Sequence, residues 1–353
     1  MSQGTPFRSD PETGSGDVAI KYRYDGSMSD FDALSPHAVQ FAVESFTGWD
    51  LDGLVVHYNS YINRVYGLRD TNGQGWVAKF YRPGRWSEAA LLEEHQWLID
   101  AEAAELPVPV PWTDVDGETL GEVVLPTESG DLEVYFALFR QRGGRAFDAE
   151  TDDDWLRLGR LLGRLHAVGR QRTFTHRPVF TPETTLLPQL QEILNSGILP
   201  REIENEWDRE ILAPAQGLRG LFLPHELQRI HGDVHRGNIL DRAAEGLLLM
   251  DFDDCAWGPP VQDFWLLLPS YADKCPREIE RFSAGYAEFS PESHLRWETV
   301  EPLRLMRMVH FLVWCLRQRR DKSFYLHFPD WGSDSFWRKE VKSLREQVDL
   351  CKL

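Results

Sequence analysis

Residues 231–254 read HGDVHRGNILDRAAEGLLLMDFDD. Two histidines, an asparagine and five aspartates stand beside two apolar runs, Ile239–Leu240 and Leu247–Met250. Short apolar runs bounded by turn residues read as strands. The stretch therefore predicts a loop, IHGDVHR, then a strand GNILD, a turn RAAEG and a strand GLLLM that ends in carboxylates. Such a hairpin brings Asp233, Asn238 and Asp251 to one side, on rigid backing.

The spacing carries more than the composition. Asn238 follows Asp233 by five positions, and Asp251 follows Asn238 by thirteen. The order matches the H-R-D-x-x-x-x-N loop and D-F-G turn of kinases, with His231-Gly232-Asp233 in the first place and Asp251-Phe252-Asp253 in the last. The chemistry needs these types. A carboxylate such as Asp233 orients an attacking hydroxyl and accepts its proton. Magnesium wants hard oxygen ligands, which the Asn238 amide and the Asp251 carboxylate supply while phosphates and water complete the shell. Asp, Asn and Gly also favour turns, so a lone HGD or DFD would be read as one; the paired spacing favours the catalytic reading.

Upstream, GWVAKFYR places Lys79 in a strand after Val77-Ala78, an echo of the V-A-I-K strand whose lysine holds ATP phosphates. A helix glutamate should position that lysine. Glu94, followed by HQWL, fits better than its neighbour Glu93. Between the strands near 54–57 and 63–67, no glycine-rich loop covers phosphates. YNSYINRVY stands there, and Ser60 with the backbone N–H groups of Tyr61 and Ile62 could meet phosphate oxygens; a plain hairpin turn at Asn59-Ser60 reads equally well. The strand YFALFRQRGG is expected to face adenine with backbone groups near Phe139 to Gln141 and an apolar wall of Leu138 and Phe139. His235 and Arg236, inside the loop, either neutralise the moving phosphoryl group or are solvated. His166 reads as a packed helix residue. Asp263 either caps the following helix or ties down the catalytic loop.

Around these motifs the chain divides. Residues 1–28 are rich in Ser, Gly, Asp and Pro and read as a tail. A small lobe, 29–141, is expected to hold a helix at 35–46, strands between 51 and 82, a helix at 85–106 with Ser87 as N-cap, and two further strands. After the glycine-containing joint RGGR (142–145), residues 142–353 read as a helical lobe. Its first helix spans 151–169, closed by Gly169, and further helices are expected at 187–195, 201–213, 222–228 and 300–320. The fold class is thus α+β and bilobal, with a small β-rich N-lobe and a large helical C-lobe.

The 353 residues carry a net charge of −18, and 42% are hydrophobic. The acidity argues against a nucleic-acid or anionic-membrane partner. The four cysteines have no C-x-x-C pairing, which favours free thiols in a reducing cytoplasm over a disulfide framework or zinc site. No apolar run is long enough to span a membrane.

The blocks VAKFYRPGRW, EEHQWL, GRLLGRLHAVGR, HGDVHRGNIL and DFDDCAWGPPVQDFWLLL together resemble the phosphotransferase family that includes aminoglycoside and choline kinases. Within it they look like a bacterial branch of serine/threonine protein kinases with the aminoglycoside-phosphotransferase-like, protein-kinase-like fold. The resemblance runs from about residue 55 to 315. It implies ATP and Mg2+ as cofactors, Asp233 as the catalytic aspartate, Asn238 and Asp251 as magnesium ligands, and Ser60 in the ATP-facing loop as a candidate autophosphorylation position. It also implies a cytoplasmic monomer that phosphorylates protein Ser/Thr and protects stressed cells. The alternative is the same chemistry on a small hydroxyl or amine compound: protein kinases often carry a lysine two residues after the catalytic aspartate, where this chain has His235.

Overall fold

The computed structural model describes residues 31, 33–60, 62–127, 130–319 and 324–351; the tail expected at 1–28 lies outside them. Helix α1 (Pro36–Thr47) precedes the sheet. Ser35 caps it by accepting the Ala38 N–H, Pro36 presets its first turn, and Gly48 at φ +70° closes it. Five strands follow: β1 (Leu51–Tyr58), β2 (Arg64–Asp70), β3 (Gly75–Phe80) and, after helix α2 (Glu88–Ala103), β4 (Gly121–Thr127) and β5 (Gly130–Arg140). They form one antiparallel sheet in the order β1-β2-β3-β5-β4. The β2–β3 turn is built by Asp70, whose Oδ1 accepts the N–H groups of Asn72 and Gln74, both at 2.9 Å.

The alternation of β5 separates two apolar clusters. Leu138 packs on the α1 side with Val39, Phe80 and Phe136, whereas Phe139 joins the large cluster on the opposite face, which continues into the C-terminal half. Neighbouring strand residues point to opposite faces, so Leu138 and Phe139 cannot form one wall, as the sequence reading had them.

The C-terminal half begins with β6 (Arg145–Ala146) and α3 (Asp152–Gly169). Thr151 and Asp154 form a capping box, and three aspartates sit in the positive first turn. Gly169 does not close this helix through left-handed backbone. It is glycine because a Cβ there would lie 2.6 Å from the Arg229 carbonyl oxygen. Helices α4 (Leu187–Asn195) and α5 (Arg201–Trp207) follow as expected. The helix expected at 222–228 is absent. Pro224–Glu226 makes one tight turn, and β7 (Gln228–Ile230) pairs with a strand beyond the DFDD segment, β10 (Ala256–Gly258). This tertiary pairing outweighs local helical spacing.

Between them β8 (Ile239–Asp241) and β9 (Leu247–Leu249) form the expected hairpin, with Ile239 opposite Leu249. The chain continues through α6 (Gln262–Trp265), α7 (Pro276–Ala287), α8 (Val300–Gln318), α9 (Phe324–His327) and α10 (Asp334–Leu350). The sequence reading did not anticipate α10, which packs on α8 and buries Trp337, Val341 and Leu344. Helices α3 and α7 approach closely enough that a Cβ on Gly159 would lie 2.1 Å from the Phe282 carbonyl oxygen. No described helix is long and apolar enough to cross a membrane.

Candidate active site

The hairpin delivers its end residues together. Asn238 precedes β8, Asp251 follows β9 by two residues, and Met250 N–H donates to the Asn238 carbonyl at 2.8 Å. The Asn238 amide Nδ2 donates to the Asp233 carbonyl at 3.0 Å, which leaves its amide oxygen as an open hard donor. Asp251 sits at φ +61°, and its side chain is 56% exposed. His231 ties the two motif halves: its Nε2 meets the Met250 carbonyl at 2.8 Å, and its ring packs on Phe252 at 4.5 Å. Gly232 at φ +87° allows the loop to pass the Asp254 carbonyl, which a Cβ would approach to 2.2 Å. The buried Asp263 accepts both the His231 and Gly232 N–H groups at 2.7 Å, and its Oδ2 lies 3.0 Å from His166 Nε2. Of the two sequence alternatives for Asp263, the geometry is that of the tie on the loop. His166, buried against Tyr286, is a packed helix residue.

The Asp233 carboxylate is buried and faces Arg307 of α8, whose Nη1 donates to Oδ1 at 3.0 Å. His235 Nε2 stands 3.4 Å from Oδ2. Burial pushes the Asp233 pKa up, but Arg307, then His235 and His231, outweigh it and hold the carboxyl well below its usual range. A buried anion with a cation on one oxygen stays ionised and keeps the other oxygen oriented as an acceptor. Sequence reading missed Arg307. It lies 74 residues from Asp233, and one arginine among several in an apolar helix carries no spacing signal.

The second cluster centres on Lys79, buried at the middle of the sheet. Its Nζ lies 3.2 Å from Asp251 Oδ1, 3.3 Å from Asp253 Oδ1 and 3.6 Å from Glu94 Oε1. Burial disfavours the charge, yet Asp253, Glu94 and Asp251 together raise the lysine pKa well above its ordinary value. Glu94 is thus the glutamate of α2 that meets Lys79. Glu93 points elsewhere and accepts the N–H groups of Thr175, His176 and Arg177. Two further cations went unread in the sequence. Arg85 bonds Asp253 at 3.2 Å and Asp254 at 2.5 Å, and the fully buried Arg177 bonds Glu94 at 2.6 Å and the Asp253 carbonyl at 2.6 Å.

Other expected residues fall as follows. Ser60 lies half-buried in the β1–β2 turn, beside Tyr61, which is outside the described residues. The base of this turn is fixed by Arg82, which donates through N–H to Asn63 Oδ1 at 3.1 Å and through Nε to the Ile62 carbonyl at 2.8 Å. Phe139 is buried against the His95 ring at 6.4 Å. The Gln141 amide turns to the Tyr58 hydroxyl at 2.8 Å, on the far strand of the sheet, while its backbone N–H donates to the Gly75 carbonyl. Arg236 is drawn away from Asp233 and pairs with Asp148 at 3.0 Å on the surface.

No group of three or more His, Cys, Asp or Glu side chains able to hold a metal occurs among the described residues. A hard dication bound through Asn238 and Asp251 suits this pattern, because magnesium typically takes few protein ligands and fills its shell with phosphate and water oxygens. The donor set is oxygen only, and Asp251 is the accessible carboxylate of the cluster.

Comparisons with known proteins agree with this geometry. Residues 56–298 match the model of the phosphotransferase enzyme family. Stress response kinase A of Escherichia coli strain K12 is 33% identical over 324 residues, spanning 91% of this chain and 94% of that protein. The serine/threonine protein kinase RdoA of Salmonella typhimurium strain LT2 matches at the same identity and coverage. Among solved structures, an amicoumacin kinase in complex with AMP-PNP, Ca2+ and Ami superposes with TM-score 0.67 at 17% identity, over 90% of this chain and 96% of that one. A microcompartment-associated aminopropanol kinase gives 0.59 at 18% identity, over 89% and 96%. The fold is therefore the bilobal kinase-like one, with a curled antiparallel sheet and a helical second lobe. With its family model covering more than half the chain and relatives above 30% identity along nearly all of it, the protein belongs to the phosphotransferase enzyme family.

Proposed function

We propose that the protein transfers the γ-phosphoryl group of ATP to serine or threonine hydroxyls of protein substrates. The observation that carries this reading is the convergence of Lys79, Asp251 and Asn238 with a buried, ionised Asp233 at one end of the β8–β9 hairpin. Asp233 accepts the proton of the acceptor hydroxyl on its carboxylate, and Arg307 keeps that carboxylate ionised and oriented. Lys79, steadied by Glu94, engages the α/β-phosphates. Asn238 and Asp251 hold magnesium, which, when bound, neutralises charge on the phosphates. The backbone near Phe139 and Gln141 borders the adenine, and Ser60 faces the phosphates and is a candidate for autophosphorylation. We place the lobe boundary at 141–142 and take the enzyme to be a cytoplasmic monomer that protects bacterial cells under stress.

The protein acceptor is favoured by the names of the relatives at 33% identity. A small hydroxyl or amine acceptor is the second reading, favoured by His235 standing 3.4 Å from Asp233 where protein kinases often place a lysine. Incubation of the pure protein with labelled ATP, Mg2+ and a generic basic protein separates the two. Label on protein Ser or Thr supports the first. Absent protein label, with ATP turnover that rises on a panel of amino alcohols and aminoglycosides, supports the second. ATP binding with no turnover on any acceptor contradicts both. Asp233→Ala is expected to abolish transfer and leave ATP affinity near normal; loss of ATP binding by a folded Asp233→Ala protein contradicts its role toward the acceptor.

A further inference from the structure

The chain carries a net charge of −18, yet one cavity is rich in arginine. It has a volume of about 500 Å3 and lies behind the lobe junction, between the end of α2, the outer face of α3 and the β8–β9 turn. Five arginines line it, Arg142, Arg157, Arg160, Arg164 and Arg242, against three glutamates, Glu102, Glu105 and Glu245. Arg157, Arg160 and Arg164 follow helical spacing on α3, which puts them on one face.

Their partners show which charges are already spent. Arg160 is held by both oxygens of Glu288, and Arg242 pairs with Glu245. Among the described residues Arg164 meets only backbone: Nη2 donates to the Ala104 and Glu105 carbonyls at 3.0 and 2.8 Å. Arg157 reaches Asp154 and Asp241 only at 3.4 and 3.5 Å. Arg142, in the joint between the lobes, is exposed and pairs with no carboxylate among the described residues. Arg157 is thus shared between two carboxylates, whereas Arg142 and Arg164 present guanidinium charge that no carboxylate neutralises among the described residues. The rest of the wall is apolar, supplied by Leu106, Val108, Leu161 and Leu247.

We propose that this cavity binds an organic phosphate, an apolar or ring-bearing body ending in a phosphate monoester. A guanidinium fork matches phosphate oxygens bidentately. An apolar floor of this size suits a ligand body larger than the phosphate alone. The site is separate from the Lys79–Asp233 cleft, and its walls are α2, which carries Glu94, and the hairpin whose opposite end carries Asn238 and Asp251. Leu249 N–H donates to the Pro107 carbonyl at 3.1 Å, so these two walls are directly bonded.

Hydrogen exchange of the full chain with phenyl phosphate tests the proposal. Slower exchange is expected in segments 102–108 and 242–249, and Arg142→Glu with Arg164→Gln should weaken the apparent affinity by about tenfold or more. Lys79→Ala, which disables the cleft, should leave this binding intact, so the outcome is independent of the kinase reading. If the double variant does not fold, Arg142→Glu alone, at an exposed position, should weaken binding in the same direction. Absence of protection in both segments, equal protection by sodium chloride at matched ionic strength, or undiminished protection in the variants overturns the site. Equal potency of inorganic phosphate overturns its assignment to an organic ester.

Discussion

Arg307 decides the state of Asp233. Burial raises a carboxyl pKa, and Arg307 is the largest of the opposing causes, so the ionised form is the one the fold stabilises. That stabilisation is present above the ordinary carboxylate pKa and is lost as pH falls through the depressed folded value. Arg307→Gln leaves the burial and removes the cation. The acid limb of kcat/KM is expected to move to higher pH, and unfolding stability to fall by about 3–5 kcal/mol, as when one partner of a buried pair is removed. Arg307→Lys should recover part of both. An unshifted acid limb in a folded Arg307→Gln protein would separate the arginine from the chemistry. His95 acts on stability in the same direction, but over a higher pH range. Buried between the Tyr81 hydroxyl and Thr119, with Lys79 and Arg177 nearby, its pKa is pushed down to about 3 from 6.5. The unfolded chain therefore binds this proton first, and stability falls as pH drops below about 6.5, by up to ~1.4 kcal/mol per pH unit. Urea titrations between neutral and mildly acidic pH should show a shallower pH slope for His95→Gln than for the parent; identical slopes would contradict the buried neutral imidazole.

At the scale of elements, the hairpin and its loop are held by Asp263, whose carboxylate satisfies two backbone N–H groups of the HGD turn and lies beside His166. Asp263→Ala strands those buried donors. Each unmet donor costs about 1–3 kcal/mol, so a clear fall in Tm is expected, together with loss of phosphoryl transfer, because the loop that aims Asp233 is released. Retained transfer at unchanged Tm would contradict this role. The hairpin itself was legible in the sequence because apolar bodies, turn residues and polar ends follow one another within twenty-four residues. The Ser87 cap was likewise readable, since caps are local. What escaped was non-local. In place of the helix expected at 222–228 there is a tight turn followed by a strand at 228–230 that pairs with residues 256–258, and Arg177, Arg307, Arg85 and Asp253 meet their partners across 74 residues or more. Lys79 and Glu94 were found because the Val77-Ala78-Lys79 strand and the following helix glutamate keep a fixed order. Gln141 was placed near the adenine through its backbone, by strand position alone; its side chain reaches Tyr58.

Across the whole molecule, α2 belongs to both halves. Its His95 meets the Tyr81 hydroxyl and the Phe139 ring of β5, while Glu93 accepts three backbone N–H groups of residues 175–177 and Glu94 is clamped by Arg177 at 2.6 Å. The Lys79–Glu94 pair is thereby assembled without any modification of the helix. Glu93→Ala is expected to speed hydrogen exchange across 88–103 and to weaken nucleotide binding, and unaltered exchange there would show that the clamp is unnecessary. The account as a whole rests on one nucleotide–metal complex gripped from both lobes. The most direct test is ATP affinity of the parent, Asp251→Ala and Asp233→Ala proteins, each with and without Mg2+. The account predicts that Mg2+ tightens ATP binding in the parent and in Asp233→Ala but not in Asp251→Ala. Full Mg2+-dependent tightening in a folded Asp251→Ala protein would contradict it.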